Sequence, residues 1–250
     1  MDDKMYTIKA VFFFLLFSCT IFSAHSAIRV GTVFLYPPFV MSVNEGFDIE
    51  FVNLLCQRMK TNCTLIPMDF NKLFSALDND VIDIAIGGIV ISKAREQQYV
   101  FSLPYMLSKG EFLVLKDNKA SSIDELAQQT IGVMKGAQAS NVYSNFLNVN
   151  YPGVFKFQDF NDIEDLVSAL RNQTIAAAFV HESAAYYWEQ NGGGQFKMLG
   201  KPMSVGLGVG IMSTPKNISI IQQLNQQILD IEQDGAFVSL YQEYFGNEQN

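Results

Sequence analysis

Ala85-Ile86-Gly87-Gly88-Ile89-Val90-Ile91-Ser92-Lys93-Ala94-Arg95 carries the strongest architectural signal in this chain. It grows out of Val81 to Ile86, a short, apolar, β-branched run that predicts a strand. The two glycines then leave backbone N–H groups uncovered, and Arg95 follows. Uncovered N–H groups beside a guanidinium make a clamp for a carboxylate. A tight turn with a surface arginine is the plainer reading of the same residues.

Outward from this stretch, strands and helices alternate. Ile28 to Thr32 reads as a first strand, and Phe47 to Lys60 spaces its apolar residues as a helix does. Tyr36-Pro37-Pro38-Phe39 between them is a loop, because two prolines exclude ladder pairing. Asn71 to Asp78 is a shorter helix. Downstream, 111–115, 131–134 and 175–180 read as strands, and 206–211 as a glycine-interrupted one. Ser122 to Leu126 resembles a capped helix start. Gly136 to Leu147, Asp162 to Leu170 and Glu182 to Trp188 read as helices, and Ile218 to Tyr244 as two helices broken at Asp234-Gly235. This alternation predicts an α/β fold with mainly parallel sheets. No low-complexity tether joins its two blocks.

The first 26 residues read as a secretory signal. Lys4 and Lys9 precede an apolar run from Val11 to Phe22, which is shorter than the ~20 residues a membrane span takes. Ala24 and Ser26 are small at the positions that cleavage after Ser26 requires. Leu16-Phe17-Ser18-Cys19 is a poor signal for a lipid anchor at Cys19. The expected product is an exported, periplasmic chain of roughly 220 residues. The formal charge is −8 with no basic run, which argues against nucleic acid as a partner. Cys56 and Cys63 remain after cleavage, and in an oxidising compartment they form either one short-loop disulfide or two buried thiols. Two cysteines and one remaining histidine are too few for a metal site, and no cofactor is expected.

The order and spacing of Tyr36-Pro37-Pro38-Phe39, Gly46-Phe47-Asp48-Ile49, Asp69-Phe70, Gly87 to Arg95, Ile131-Gly132-Val133 with Gly136, and Asp234-Gly235 before Tyr244-Phe245 resemble the extracytoplasmic solute-binding proteins of polar amino-acid ABC transporters. The likeness covers nearly the whole mature chain. It implies a type II periplasmic-binding-protein fold, two α/β lobes joined by two hinge strands. Residues 28–108 plus 205–250 would form the first lobe and 109–204 the second, with hinges near Ser108–Glu111 and Lys201–Val205. It also implies a disulfide between Cys56 and Cys63, as in lysine/arginine/ornithine-type members.

For the site, the resemblance implies that Arg95 forks onto the ligand carboxylate, that Gly88 and Val90 offer backbone groups, and that Tyr36 and Phe70 flank the ligand side chain. Phe34 either adds to that wall or enters the core. Asp48 sits where members place an acid near the site floor, or else serves a helix N-terminus. Gln138 stands at a helix start on the second lobe, a natural carboxylate site. The ammonium anchor falls on His181 by ungapped spacing, or on Glu182 by chemistry. Val33 stands where several binders of basic amino acids carry an acid, so arginine, lysine, histidine and glutamine all stay open as ligands, with arginine favoured.

The implied function is a monomeric receptor that takes a free amino acid to an inner-membrane permease, with no covalent chemistry. The alternative is a cyclohexadienyl (prephenate or arogenate) dehydratase on the same fold, with His181 and Glu182 as an acid/base pair. A ligand sensor or adhesin is a third class, disfavoured because a sensor usually comes with a membrane helix and no apolar segment here is long enough to form one.

Overall fold

A computed structural model describes residues 27–136 and 141–246. The expected signal (1–26) and Gln138 lie outside them. The described chain folds around two five-stranded sheets.

The first sheet has the order β2-β1-β3-β10-β4. Its strands are β1 (Ile28–Thr32), β2 (Cys63–Pro67), β3 (Ile84–Ala85), β4 (Val100–Phe101) and β10 (Met212–Ser213). β1 runs parallel to β2 and β3, and β10 lies antiparallel between β3 and β4. Its helices are α1 (Phe47–Arg58), α2 (Phe70–Asp78), and the C-terminal pair α6 (Ile218–Gln233) and α7 (Ala236–Phe245). α1 buries Phe47, Phe51, Val52 and Leu55 on one face. Phe47 meets Phe237, Tyr241 and Phe245 of α7 ring to ring, which locks the C-terminus onto the first helix.

The second sheet has the order β7-β6-β8-β5-β9. Its strands are β5 (Lys109–Leu115), β6 (Thr130–Met134), β7 (Lys156–Phe160), β8 (Ala177–His181) and β9 (Phe196–Ser204). β6 is parallel to β7 and β8, while β5 is antiparallel to β8 and β9. Helices α3 (Val142–Asn150), α4 (Ile163–Arg171) and α5 (Glu182–Asn191) cover it. Asn141 and Asp162 cap α3 and α4 by accepting the backbone N–H groups of Ser144 and Asp165.

The chain passes between the sheets twice, from β4 to β5 and from β9 to β10. The two passages touch where the Val205 N–H donates to the Ser108 carbonyl at 3.0 Å. Two mixed α/β sheets joined this way form the type II periplasmic-binding-protein fold.

Several elements differ from expectation. β2, β7 and β9 form strands that the sequence did not signal. β7 is an edge strand whose polar residues face solvent, with only Phe160 buried, so it shows no apolar run. β9 contains Gly200 and Pro202, which an edge strand tolerates because one side needs no ladder. The strand expected over Val81 to Ile86 narrows to Ile84–Ala85. The strand expected over 206–211 is an irregular passage instead, and pairing resumes at Met212–Ser213. Gly208 there has φ 115°, and a Cβ would sit 2.6 Å from Pro104 Cβ, so only glycine fits. Ser122 to Leu126 forms a short 3-10 turn rather than an α-helix. Cys56 and Cys63 are bridged, tying the end of α1 to the first residue of β2.

Candidate functional site

Parallel strands open their loops at their C-terminal ends, where α/β proteins hold ligands. The loops after β1, β2 and β3 in the first sheet and after β6 and β7 in the second enclose one cleft of about 160 Å³. Tyr36, Phe70, Gly88, Val90 and Arg95 all line it. Phe34, 56% exposed, stands at its mouth and not in the core.

Tyr36 is held by its own loop. It pairs with Val40 across the prolines, with Tyr36 N–H to Val40 O at 2.8 Å and Val40 N–H to Tyr36 O at 3.0 Å. Its ring stacks on Phe39 at 5.7 Å. Burial raises its hydroxyl to about 12, so it stays neutral. Phe70 opens α2 just after Asp69.

Arg95 starts a short 3-10 turn and is 4% exposed. Its guanidinium donates to the Val90 carbonyl at 2.7 Å and lies over the rings of Phe70 and Phe74 at 5.8 and 5.2 Å. Those rings favour a cation that water cannot reach. Burial lowers its pKa to about 10, which leaves it charged at neutral pH.

Val90 bridges Val209 in antiparallel register. The bonds flanking that bridge run from Ile91 N–H to Gly208 O and from Gly210 N–H to Ile89 O. Val90 therefore occupies the non-hydrogen-bonded position, and its own N–H and C=O turn away from that partner. The carbonyl accepts from Arg95. Gly88 has φ 63°, and a Cβ there would lie 2.9 Å from the Tyr36 ring. Its N–H is already committed, donating to Asp48 Oδ2 at 2.7 Å.

Asp48 is fully buried beneath this loop and also accepts from the Tyr105 hydroxyl at 2.8 Å. Burial pushes its carboxyl up to about 7 against the pull of these donors. It is thus a support of the Gly88 loop, and it does not line the cleft.

His181 and Glu182 are corrections. His181 is fully buried at the end of β8, with its ring edge-on to Phe39 at 5.0 Å. Nδ1 accepts from the Ser183 N–H at 3.2 Å, so Nε2 carries the proton toward the Leu107 carbonyl at 3.3 Å. Burial lowers its pKa to about 4, so the ring is neutral. Both nitrogens serve the protein. Glu182 turns away to pair with Lys109 at 3.1 Å. Neither lines the cleft. The end of a strand reverses side-chain direction from one residue to the next, and neither phase aims a side chain into the cavity.

The structure adds lining residues that sequence reasoning missed: Met68, Asp69, Met134, Asn141, Tyr143, Asn161, Asp162 and Glu164. Asn161 and Asp162 follow β7, whose polar pattern hid the strand. Once that strand is known, the position after its C-terminal end is the signal that points to them. Among the described residues, no cluster of three His, Cys, Asp or Glu side chains converges to hold a metal, and no helix is long and apolar enough to cross a membrane.

Comparison with known proteins agrees with this geometry. Residues 28–247 match the family model described as bacterial extracellular solute-binding proteins, family 3. The chain is 27% identical to the arginine-binding periplasmic protein of Mannheimia haemolytica, over 94% of this chain and 97% of that one. It is also 27% identical to the L-cystine-binding protein TcyJ of Escherichia coli K12, over 87% and 82%. A crystal structure of an arginine transport-system periplasmic binding protein from Legionella pneumophila superposes with a TM-score of 0.82 at 32% identity, over 88% of this chain and 99% of that one. These relatives are binding proteins and not enzymes, which decides against the dehydratase alternative. The chain belongs to the bacterial extracellular solute-binding proteins, family 3.

Proposed function

We propose that this protein is the extracytoplasmic receptor of an amino-acid ABC transporter, binding a polar or basic L-amino acid, with arginine favoured over lysine, histidine and glutamine. The observation that carries this reading is the buried, charged Arg95 in a cleft between two sheets, flanked by Phe70 and facing the same cavity as Tyr36. A guanidinium with low water access grips a carboxylate bidentately. The Val90 N–H adds a donor, and the Gly88 carbonyl is an acceptor for the ammonium. Gln138 contributes from the second lobe. Relatives named for arginine and cystine binding support an amino-acid ligand without fixing which one.

In this reading, residues 28–108 plus 205–250 and residues 109–204 move as lobes about hinges at Ser108–Glu111 and Lys201–Val205. The closed monomer presents its ligand to an inner-membrane permease. Export through a signal cleaved after Ser26 places it in the periplasm.

The test is thermal unfolding of the mature chain from Ala27, stripped of ligand, against the twenty amino acids, ornithine and prephenate. Ligand at ~100 times its dissociation constant adds about 2.7 kcal/mol, a rise of roughly 5–10 °C for a chain of this size. The expected outcome is a large shift with arginine and smaller shifts with one or two other polar amino acids. A shift with prephenate alone, or none at all, overturns the reading.

A further inference from the structure

We propose that the Tyr143 hydroxyl donates a hydrogen bond to the ligand's α-carboxylate, the group that Arg95 grips from the other sheet. This rests on the amino-acid reading of the cleft and adds a donor from the second sheet that the reading leaves out.

Tyr143 is placed by the first turn of α3, the helix between β6 and β7. The helix cap Asn141 and the first two helical residues, Val142 and Tyr143, all line the cleft, so the N-terminal end of α3 borders it. Such an end carries positive partial charge and favours an anion. The three side chains differ in what they can offer. Asn141 Oδ1 accepts from the Ser144 N–H at 3.3 Å, and its Nδ2 donates to Asp159 Oδ1 at 2.6 Å. Val142 has no polar atom in its side chain. The Tyr143 hydroxyl is uncommitted.

The Tyr143 ring is fixed before any ligand arrives. The residue is 7% exposed, and its ring stands edge-on to Phe179 of β8 at 5.5 Å. The hydroxyl is buried and has no hydrogen-bond partner among the described residues. Those of Tyr36 and Ser108 lie near it, but neither meets it at hydrogen-bonding geometry. The Tyr36 oxygen accepts from the His181 N–H instead, at 3.3 Å. A buried polar group left unpaired is rare and costs stability. For a residue that lines a cleft, the occupant of the cleft is the partner that remains.

The chemistry of that partner follows from the hydroxyl and its neighbour. Burial pushes the Tyr143 phenol well above its ordinary value, so it keeps its proton and donates. The Arg95 guanidinium lies close enough to act on it electrostatically. An ammonium at this point would face the guanidinium. A carboxylate has two oxygens and about four lone-pair sites, so one held at Arg95 can accept from Tyr143 as well. Arg95 follows β3 of the first sheet and Tyr143 follows β6 of the second. The shared carboxylate therefore ties the two sheets together.

The thermal-unfolding screen of the twenty amino acids on the mature chain from Ala27 selects the strongest binder. That amino acid is then titrated calorimetrically into wild type and Y143F. Its α-amide, which has no anionic carboxylate, is compared on both proteins by thermal shift at high concentration. Y143F keeps the ring and its contact with Phe179 and removes the hydroxyl alone. It should weaken the free amino acid at least about tenfold, the effect of a hydrogen bond to a charged group, and leave the amide nearly unchanged. Ligand-free Y143F should unfold in urea no earlier than wild type, because no bond within the protein is lost. Unchanged binding of the amino acid overturns the proposal. So does equal weakening of acid and amide, which would make the hydroxyl a matter of pocket shape. A less stable ligand-free Y143F overturns it too, since Tyr36 or Ser108 would then hold the hydroxyl. The amino-acid reading survives all three results. If none of the twenty shifts the unfolding of wild type, that reading falls and the proposal with it.

Discussion

Asp48 and Arg95 each bond to the loop after β3, Asp48 at Gly88 and Arg95 at Val90, and burial draws both toward neutrality, but only Arg95 keeps its full charge at pH 7. That asymmetry suits their tasks. Arg95 must meet a carboxylate, and lysine cannot reproduce its fork. R95K should therefore weaken amino-acid binding by at least ~30-fold, about 2 kcal/mol, while circular dichroism shows the fold retained; near-native affinity would remove Arg95 from the site. Asp48 makes a different prediction. Its folded pKa, about 7, lies above the unfolded value near 4. The folded chain holds a proton that the unfolded chain releases, so this contribution is full below pH ~4 and is lost as pH rises through ~7. His181 works in the opposite sense: its folded value of about 4 lies below 6.5, so its contribution is lost as pH falls through that window. Subtracting D48N from wild type cancels His181. The difference in urea-unfolding free energy should decline steadily from pH 4 to 7; a flat difference means Asp48 stays ionised. Arg95, Gly88, Tyr36 and Phe70, which line one cavity, were legible through the resemblance carried by the motifs in which they stand. Asp162 and Glu164 were not, because only sheet order brings them beside Asp69.

Among elements, helices with a clear apolar stripe were legible, and strands at sheet edges were not. α4 buries Ile163, Leu166, Val167 and Leu170 on one side, a spacing that only a helix satisfies. β2 and β7 lie at sheet edges, and only Phe160 among their residues is buried, so neither carries the apolar alternation of a half-buried strand. β2 gains its support elsewhere. The Cys56–Cys63 bridge fastens the start of that edge strand to α1, seven residues away in sequence. A loop this short loses modest entropy on closure, so the bridge is worth about 2 kcal/mol. C56A/C63A should lower the unfolding free energy by about that amount in urea, with the same lowering in wild type under reductant. Because Met68, Asp69 and Phe70 follow β2 directly, the variant should also bind ligand more weakly. Unchanged affinity would show that the loop is held by the ladder to β1 alone.

In the molecule as a whole, one buried apolar cluster includes residues of both sheets, such as Phe39 and Val180, and a hydrogen bond joins the sheets beside it. The Tyr36 hydroxyl, from the loop after β1, accepts the His181 N–H at the end of β8 at 3.3 Å. Phe39 meets the His181 ring beside it. These groups belong to different sheets, so the bond exists only when the sheets approach. His181 thereby acquires a role that its sequence position did not suggest: it receives the aromatic loop that follows β1. A ligand shifts the equilibrium between open and closed forms only by its preference for the closed one, and any bond unique to the closed form adds to apparent affinity. Y36F keeps the aromatic wall and deletes the acceptor. A hydrogen bond of this kind is worth about 0.5–1.5 kcal/mol net, so affinity should fall roughly 2- to 12-fold. The loss should appear in the dissociation rate, because the open form meets its ligand unchanged. Stopped-flow release and calorimetry on Y36F measure both quantities. A variant that releases ligand at the wild-type rate would mean that this bond contributes nothing to holding the ligand-bound form, and that the ligand's own contacts hold it.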